Sequence, residues 1–204
     1  MRCAVVNFSA VIVAGGKSSR MGRDKAFVLL HGKPLIEHVL ERIRPLGATH
    51  ILLIANRPAD YAYLGLPVYP DVLPEKGALG GIYSALTHSP TDYCLIVACD
   101  MPFLSTALLQ RLIGLCDETP ETPPDVIVPI FNDRPQGLHA VYCRTCLEPI
   151  FEDLKRDRLK VIGFYERVKV RYVIPEEYCD LDPEGRSFHN INTPDELRDA
   201  ESEA

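Results

Sequence analysis

Basic side chains follow a pair of glycines near the start of the chain. Gly15 and Gly16 follow the apolar run 10–13, with Ala14 between. Such a pair lets a turn approach a ligand closely, and the N–H groups of the turn can bind oxyanions. Because the net charge is −6, cations grouped within a few residues are informative. The cations in this segment are Lys17, Arg20, Arg23 and Lys25. Together they predict a polyphosphate site.

Two carboxylates come after apolar segments that read as strands. Asp100 follows the run 94–98 and precedes a proline, and Asp71 follows 67–70 and precedes the glycine-rich segment 77–81. Asp100 in this position can hold Mg²⁺ against a triphosphate, because hard oxygen ligands suit that ion. Parallel α/β sheets bind ligands beyond the carboxyl ends of their strands, where the glycine pair and both carboxylates should fall.

Each motif also has a simpler structural explanation. The basic segment could be a solvated loop, Asp100 a turn or capping residue, and the glycines in 77–81 a place where a helix packs on the sheet. Thr193 and Glu196 form the pattern of a capping box around Pro194. Capping leaves Asn190 unexplained. No Gly-x-Gly-x-x-Gly is present, and a Walker A alignment would place its first glycine on a valine, so neither of those phosphate loops is supported.

Strand and helix patterns alternate over most of the chain. This alternation predicts an α/β fold of three layers, Rossmann-like, with a mostly parallel sheet covered by helices on both faces. We expect residues 1–204 to form a single domain. The predicted strands are 10–13, 51–54, 67–70, 94–98, 126–130, 140–142 and 170–174. The predicted helices begin at 34, cover 78–88, follow Ser105, cover 149–155 and 160–167, and begin again at 194.

Composition narrows the class of protein. With 47% hydrophobic and 25% charged residues, the chain is typical of an ordered soluble domain. No apolar run reaches about 18 residues, so no membrane span is expected. The negative net charge argues against a broad nucleic-acid surface. Seven scattered cysteines indicate a reducing compartment rather than a disulfide framework, and we expect a cytoplasmic protein.

The ordered motifs resemble the molybdenum cofactor guanylyltransferase family, the MobA-like proteins. The resemblance rests on Ala14-Gly15-Gly16, Arg20-Met21-Gly22, Asp24-Lys25, Gly32-Lys33-Pro34-Leu35, Cys99-Asp100-Met101-Pro102 and Asn190-Ile191-Asn192-Thr193-Pro194. It extends from about residue 10 to about residue 197. The sequence departs from the family pattern at Ile54, where an asparagine is usual, and at Gln136-Gly137, where Gln-Pro is usual.

The resemblance implies a reaction and a set of roles. GTP and molybdenum-molybdopterin would give the guanine dinucleotide cofactor and pyrophosphate, on a nucleotide-diphospho-sugar transferase-like fold. The nucleotide would be bound by Val13, Ala14, Gly15, Gly16, Lys25, Asp71 and Asp100. Asp100 would also bind Mg²⁺, Arg20 and Lys25 would neutralise the leaving pyrophosphate, and Asn190 and Asn192 would lie near the pterin.

Other readings remain open. A related enzyme could use CTP on molybdopterin, or an NTP on a sugar or alcohol phosphate. The chain could instead bind nucleotide without catalysis, or use Cys143 and Cys146 in a redox reaction. The expected partners are small molecules and, beyond them, molybdopterin-handling proteins and molybdoenzymes. We expect a monomer that binds neither nucleic acid nor membrane.

Overall fold

The structure, a computed structural model, describes residues 6–15, 24–118 and 121–202. The strands in these residues are β1 (Phe8–Val13), β2 (Leu29–Leu30), β3 (Lys33–Pro34), β4 (His50–Ile54), β5 (Val68–Tyr69), β6 (Tyr93–Ala98), β7 (Val126–Phe131), β8 (Arg134–Pro135), β9 (His139–Cys143) and β10 (Val170–Val173). The α-helices there are α1 (Leu35–Ile43), α2 (Gly77–His88), α3 (Thr106–Gly114), α4 (Leu147–Lys155) and α5 (Pro194–Ser202).

The main sheet is mostly parallel, as the sequence predicts. Its strand order is β10-β7-β9-β6-β1-β4-β5, with β8 beside β7. The pairs β1–β4, β1–β6, β4–β5 and β7–β10 are parallel, whereas β9 runs antiparallel between β6 and β7. The carboxyl ends of β6, β1, β4 and β5 therefore meet at one edge of the sheet.

Side chains of β1 alternate between two core layers, which explains its uninterrupted apolar sequence. Ala10 and Ile12 belong to a core cluster with residues of α1 and α3. Val11 and Val13 belong to a second cluster with residues of α2 and α4. All four side chains are buried. The sheet is thus covered on both faces and forms the middle of three layers.

A smaller cluster connects the end of the chain to the region after Lys25. Val28, Leu30 and Leu35 pack with Ile191 and Ala200, which brings α5 against the β2–β3 hairpin. The hairpin turn consists of His31 and Gly32, with φ values of 50° and 77°. Positive φ at both central residues is typical of a two-residue hairpin turn, and glycine suits the second position.

The helix predicted over 160–167 is wrong in type. The structure has a 3₁₀ helix at Val161–Arg167. Gly163 interrupts the segment and lowers its preference for an α-helix. Other 3₁₀ turns cover Lys25–Phe27, Arg44–Leu46, Pro58–Leu64, Leu115–Asp117, Arg144–Cys146, Pro175–Glu177 and Arg186–Phe188. Among the described residues, no helix has the length and apolar character that crossing a bilayer requires.

Candidate active site

Four neighbouring strands are each followed, at the same distance past the carboxyl end, by a residue that could contact a ligand. Gly15, Asn56, Asp71 and Asp100 each lie two residues past the last residue of β1, β4, β5 and β6, respectively. We call these four residues the strand-end row. Adjacent strands are about 4.8 Å apart, so the row spans roughly 14 Å from β6 to β5. Backbone hydrogen bonds continue past the strands, with the Cys99 N–H donating to the Val13 carbonyl at 3.1 Å.

Asp100 lies at one end of the row and binds side chains from distant parts of the chain. It is only 8% exposed. Lys25 Nζ donates to Asp100 Oδ2 at 3.2 Å, and Asn190 Nδ2 donates to Oδ1 at 2.9 Å. Lys25 Nζ also donates to Asn192 Oδ1. The Ile191 N–H donates to the Asp100 carbonyl at 2.9 Å. The basic segment, the strand-end carboxylate and the late asparagine motif therefore meet in one cluster.

Lys25 begins a 3₁₀ turn that Asp24 holds in place. Asp24 Oδ1 accepts from the Ala26 N–H at 3.2 Å, which caps the turn. Asp24 Oδ2 accepts from the Tyr61 hydroxyl at 3.0 Å and from the Arg57 guanidinium at 3.2 Å. Burial, and next to it the Asp24 charge, raises the pKa of Tyr61, so the phenol stays protonated as a donor.

Asp71 lies at the other end of the row and is paired with Asn56. Asn56 Nδ2 donates to Asp71 Oδ2 at 2.8 Å, and the Asp71 N–H donates to Asn56 Oδ1 at 2.9 Å. The Ser84 hydroxyl lies 3.4 Å from Asp71 Oδ1. A Cβ added to Gly15 would lie 3.4 Å from Asp71 Oδ2, so the glycine turn and this carboxylate are neighbours. The row thus carries an anionic group at each end.

The predicted site residues divide into three sets. Lys25, Asp100, Asn190 and Asn192 form the cluster around the first carboxylate. Asp71 lies at the far end of the row with its carboxylate next to Gly15, and Gly15 follows Val13, the last residue of β1, and Ala14. Gly16 and Arg20 fall outside the described residues, as do Lys17 and Arg23. The nucleotide, metal and pterin roles of all these residues stay predictions.

Capping accounts for part of the late motif. The Glu196 N–H donates to Thr193 Oγ1 at 3.2 Å, and the Thr193 N–H donates to Glu196 Oε2 at 2.9 Å. The capping box predicted from the sequence is therefore confirmed. It holds the backbone next to Asn192 and leaves the side chains of Asn190 and Asn192 for the Asp100 cluster.

The sequence analysis assigned no role in the site to Asn56, Asp24 or Tyr61, although Asp24 is part of the Asp24-Lys25 motif. Asn56 has the same two-residue offset from its strand as Asp71 and Asp100, so the offset could have found it. Tyr61 contacts Asp24, the residue before Lys25, across 37 positions of the chain. The sequence offers no local pattern that predicts such a contact.

The donor chemistry of the Asp100 cluster fits a hard divalent cation. It offers a carboxylate oxygen and an amide oxygen, which are ligands that Mg²⁺ accepts. In the described part of the chain, no group of three or more His, Cys, Asp or Glu side chains converges on a metal position. A cation held here would therefore take most of its ligands from substrate and water, as is usual for Mg²⁺ bound with a polyphosphate.

Cys143 and Cys146, the two cysteines of the redox hypothesis, lie at the edge of the sheet opposite to Asp100. Cys143 pairs with Tyr93, the first residue of β6, whereas Asp100 follows the last. Cys146 is buried and donates to the Asp125 carbonyl at 3.4 Å. Burial, together with the nearby Asp125 charge, raises the pKa of the Cys146 thiol and disfavours the reactive thiolate. The redox interpretation gains no support from this environment.

Comparison with known proteins gives a consistent picture. Residues 10–168 match the model of the MobA-like NTP transferase domain. The chain is 35% identical over 200 residues to a probable molybdenum cofactor guanylyltransferase of Clostridium perfringens, covering 96% of each protein. It is 37% identical over 192 residues to the molybdenum cofactor guanylyltransferase of Vibrio campbellii, covering 93% of this chain and 92% of that one. The crystal structure of molybdopterin-guanine dinucleotide biosynthesis protein A from Archaeoglobus fulgidus has a TM-score of 0.80 and 30% identity, with 95% of this chain and 97% of that chain covered.

Proposed function

Because the chain belongs to the MobA-like NTP transferase family, we propose that it transfers GMP from GTP to the phosphate of molybdenum-molybdopterin. The products are molybdopterin guanine dinucleotide cofactor and pyrophosphate. The observation that carries the assignment of the site is the contact between Lys25 Nζ and Asp100 Oδ2 at 3.2 Å. It joins the basic segment to the strand-end carboxylate, as a shared triphosphate and metal site requires.

The strand-end row has a length suited to a nucleotide laid across the sheet edge. In this proposal the triphosphate lies at the Asp100 and Lys25 end, and the nucleoside extends past Gly15 towards Asp71. The Gly15 position is exposed and has no side chain, so a ligand can approach the backbone there. Asp71 would accept hydrogen bonds from the nucleoside.

The chemistry needs no general base. The acceptor phosphate is already an anionic nucleophile, and one of its oxygens bonds to the α-phosphorus of GTP as the bond to the pyrophosphate oxygen breaks. Catalysis is then positioning plus neutralisation of charge. Lys25 would contact the triphosphate, and Asp100, held by Asn190, would hold Mg²⁺. The bound metal supplies additional positive charge to the triphosphate oxygens. Arg20 would add a second cation for the leaving pyrophosphate.

The direct test is pyrophosphate release from GTP with and without molybdenum-loaded molybdopterin. We expect release only with the acceptor present. Asp100→Asn keeps the side-chain shape but removes the charge, and should reduce turnover by at least about a hundredfold, in the range seen when a transition-state electrostatic contact is lost. The control is Asp117→Asn, an exposed carboxylate next to α3, which should keep full activity. Full turnover by Asp100→Asn with magnesium would refute the assignment.

The same assay separates the alternative functions. Faster release from CTP than from GTP would indicate a cytidylyltransferase, and release with sugar or alcohol phosphates would indicate another acceptor. GTP binding without release under any condition would indicate a nucleotide-binding protein without catalysis.

We also propose that residues 1–204 act as one domain, as a cytoplasmic monomer that works on small molecules. Exchange with molybdopterin-handling proteins and molybdoenzymes belongs to the same proposal. Light scattering coupled to size-exclusion chromatography tests the monomer, for which a mass near 22.8 kDa is expected.

A further inference from the structure

Both carboxylate oxygens of Asp100 accept hydrogen bonds from neighbouring side chains. Oδ1 accepts from Asn190, and Oδ2 accepts from the Lys25 ammonium. The same ammonium donates to Asn192 Oδ1. It therefore lies between the carboxylate oxygen and the amide oxygen that suit a hard cation.

The contact between Lys25 and Asp100 is important because both side chains are largely buried. The Asp100 side chain is 11% exposed and that of Lys25 is 24% exposed. A charge at such a depth needs a partner, because water compensates it only in part. Lys25 supplies that partner. A free divalent cation would have to displace the ammonium and lose part of its own hydration shell, which Mg²⁺ gives up reluctantly.

We propose that Lys25 is the resident cation of this site: it excludes free divalent metal, and the site takes the metal only as a complex with nucleotide. This inference rests on the proposed function. A triphosphate offers the Lys25 ammonium several anionic oxygens in exchange for one carboxylate oxygen. Once the ammonium moves to the phosphates, Asp100 Oδ2 is free for the cation that the nucleotide brings. Nucleotide and metal therefore bind together, and the protein alone has low affinity for the metal.

The experiment is a titration with Mn²⁺. Without GTP it is followed by the electron paramagnetic resonance signal of the free ion. With GTP, which removes that signal by itself, it is followed by equilibrium dialysis against a protein-free solution of the same GTP and Mn²⁺. The wild-type protein should bind Mn²⁺ tightly only with GTP. Lys25→Met keeps the apolar stem and removes the ammonium, so its affinity for free Mn²⁺ should rise by about tenfold or more. Lys25→Arg keeps a cation at this position and should restore the exclusion. Adding Asp100→Asn to Lys25→Met should remove the gain.

Lys33→Met is the matched control. It removes a lysine whose Nζ pairs with the exposed Glu41 at 2.8 Å, away from this cluster, and it should bind Mn²⁺ as the wild type does. Equal affinity of wild type and Lys25→Met for Mn²⁺ without nucleotide would overturn the resident-cation proposal and leave the proposed function standing. Failure of the wild type to bind Mn²⁺ even with GTP would overturn the metal assignment of the proposed function itself. Circular dichroism of Lys25→Arg and Lys25→Met would show whether each variant is folded.

Discussion

Each carboxylate of the strand-end row accepts a hydrogen bond from an asparagine. Asn190, far away in the sequence, donates to Asp100, and Asn56, which belongs to the row itself, donates to Asp71. An amide N–H bound to one carboxylate oxygen fixes the plane of the group. At the residue scale, the asparagines therefore belong to the site although neither needs to touch a reacting atom.

Asn56→Ala tests this positioning role. The change removes two hydrogen bonds to Asp71, each of which contributes about 1 kcal/mol. We expect KM for GTP to rise about fivefold to thirtyfold, with kcat little changed, because the proposed function puts the reacting phosphates at the other end of the row. Steady-state kinetics measure both constants.

Two further variants complete this test. Asn56→Asp places a second negative charge beside Asp71 and should raise KM further. Asn7→Ala removes the partner of Thr49, at the opposite edge of the sheet, and should leave KM unchanged. An unchanged KM in Asn56→Ala would remove Asn56 from the nucleotide site.

His139 predicts how stability depends on pH. Its side chain is fully buried against Phe188, and burial lowers its pKa to about 4. The unfolded chain, with a histidine pKa of about 6.5, takes up a proton as pH falls while the folded protein does not. This histidine should therefore reduce stability between pH 6.5 and about 4, by up to about 1.4 kcal/mol for each pH unit, with no effect above that range.

Urea unfolding of wild type and His139→Leu at pH 7.0 and 5.0 measures this effect. The variant should lose less stability than the wild type over the interval. His50→Gln is the control, since His50 is exposed at the start of β4 and the substitution should leave the pH dependence unchanged. Equal losses in wild type and His139→Leu would contradict a buried neutral histidine.

At the scale of elements, helix α2 approaches β1 closely at Gly81. A Cβ added to Gly81 would lie 2.6 Å from Val13 Cγ1, whereas one added to Gly80 would lie 2.7 Å from Lys76 Cβ, just before the helix. The structural explanation, packing of a helix against the sheet, is therefore correct for Gly81. The contact is with the last residue of β1, so the packing also fixes where the glycine turn of the site begins.

Gly81→Ala should destabilise the protein by about 1–3 kcal/mol, because β1 or α2 must shift to admit the methyl group. Gly114→Ala is a matched control in α3, where an added Cβ meets nothing within 4 Å. That variant should be stabilised by roughly 0.5–1 kcal/mol, as helical glycines usually are when replaced by alanine. Chemical unfolding measures the free energy of unfolding of both variants. Similar stabilities would show that the close approach at Gly81 carries no constraint.

The elements that the sequence predicted well are the long ones with a clear period. The apolar runs 10–13 and 94–98 appear within β1 and β6, and Ser105 caps α3 by accepting from the Leu108 N–H. The β2–β3 hairpin was missed because strands of two residues have no period to detect. The antiparallel direction of β9 was also not predicted, since it depends on strand pairing rather than on local composition.

The site was predictable in position but not in its contacts. Asp71 and Asp100 follow apolar runs, so their place at the sheet edge could be inferred. Nothing local links Asn190 to Asp100, which lie 90 residues apart, or Asn192 to Lys25, which lie 167 apart. These contacts exist because Ile191 is buried in the cluster that joins α5 to the β2–β3 hairpin.

At the scale of the whole molecule, ligand binding should connect these distant segments and raise the stability of the fold. A ligand present at a hundred times its Kd adds about 2.7 kcal/mol to the free energy of unfolding. For a chain of 204 residues this corresponds to a rise in Tm of about 5–10 °C. We expect this rise with GTP and Mg²⁺ together and a smaller one with CTP.

Thermal unfolding followed by fluorescence measures the rise in Tm with each nucleotide. Asp100→Asn should lose most of the increase caused by adding Mg²⁺ to GTP, whereas Asp117→Asn should keep it. An equal rise with GTP, CTP, ATP and UTP would mean that the site does not select its base.

The position of the strand-end row, outside the strands themselves, has a consequence for how this protein can change over generations. Asn56 is exposed and Asp71 only half-buried, whereas Ile54, the last residue of β4, is fully buried in the core. Under the proposed function, substitutions at Asn56 and Asp71 should alter what is recognised at little expense to folding, so new base preferences are open to selection and to the engineer while the sheet stays as it is.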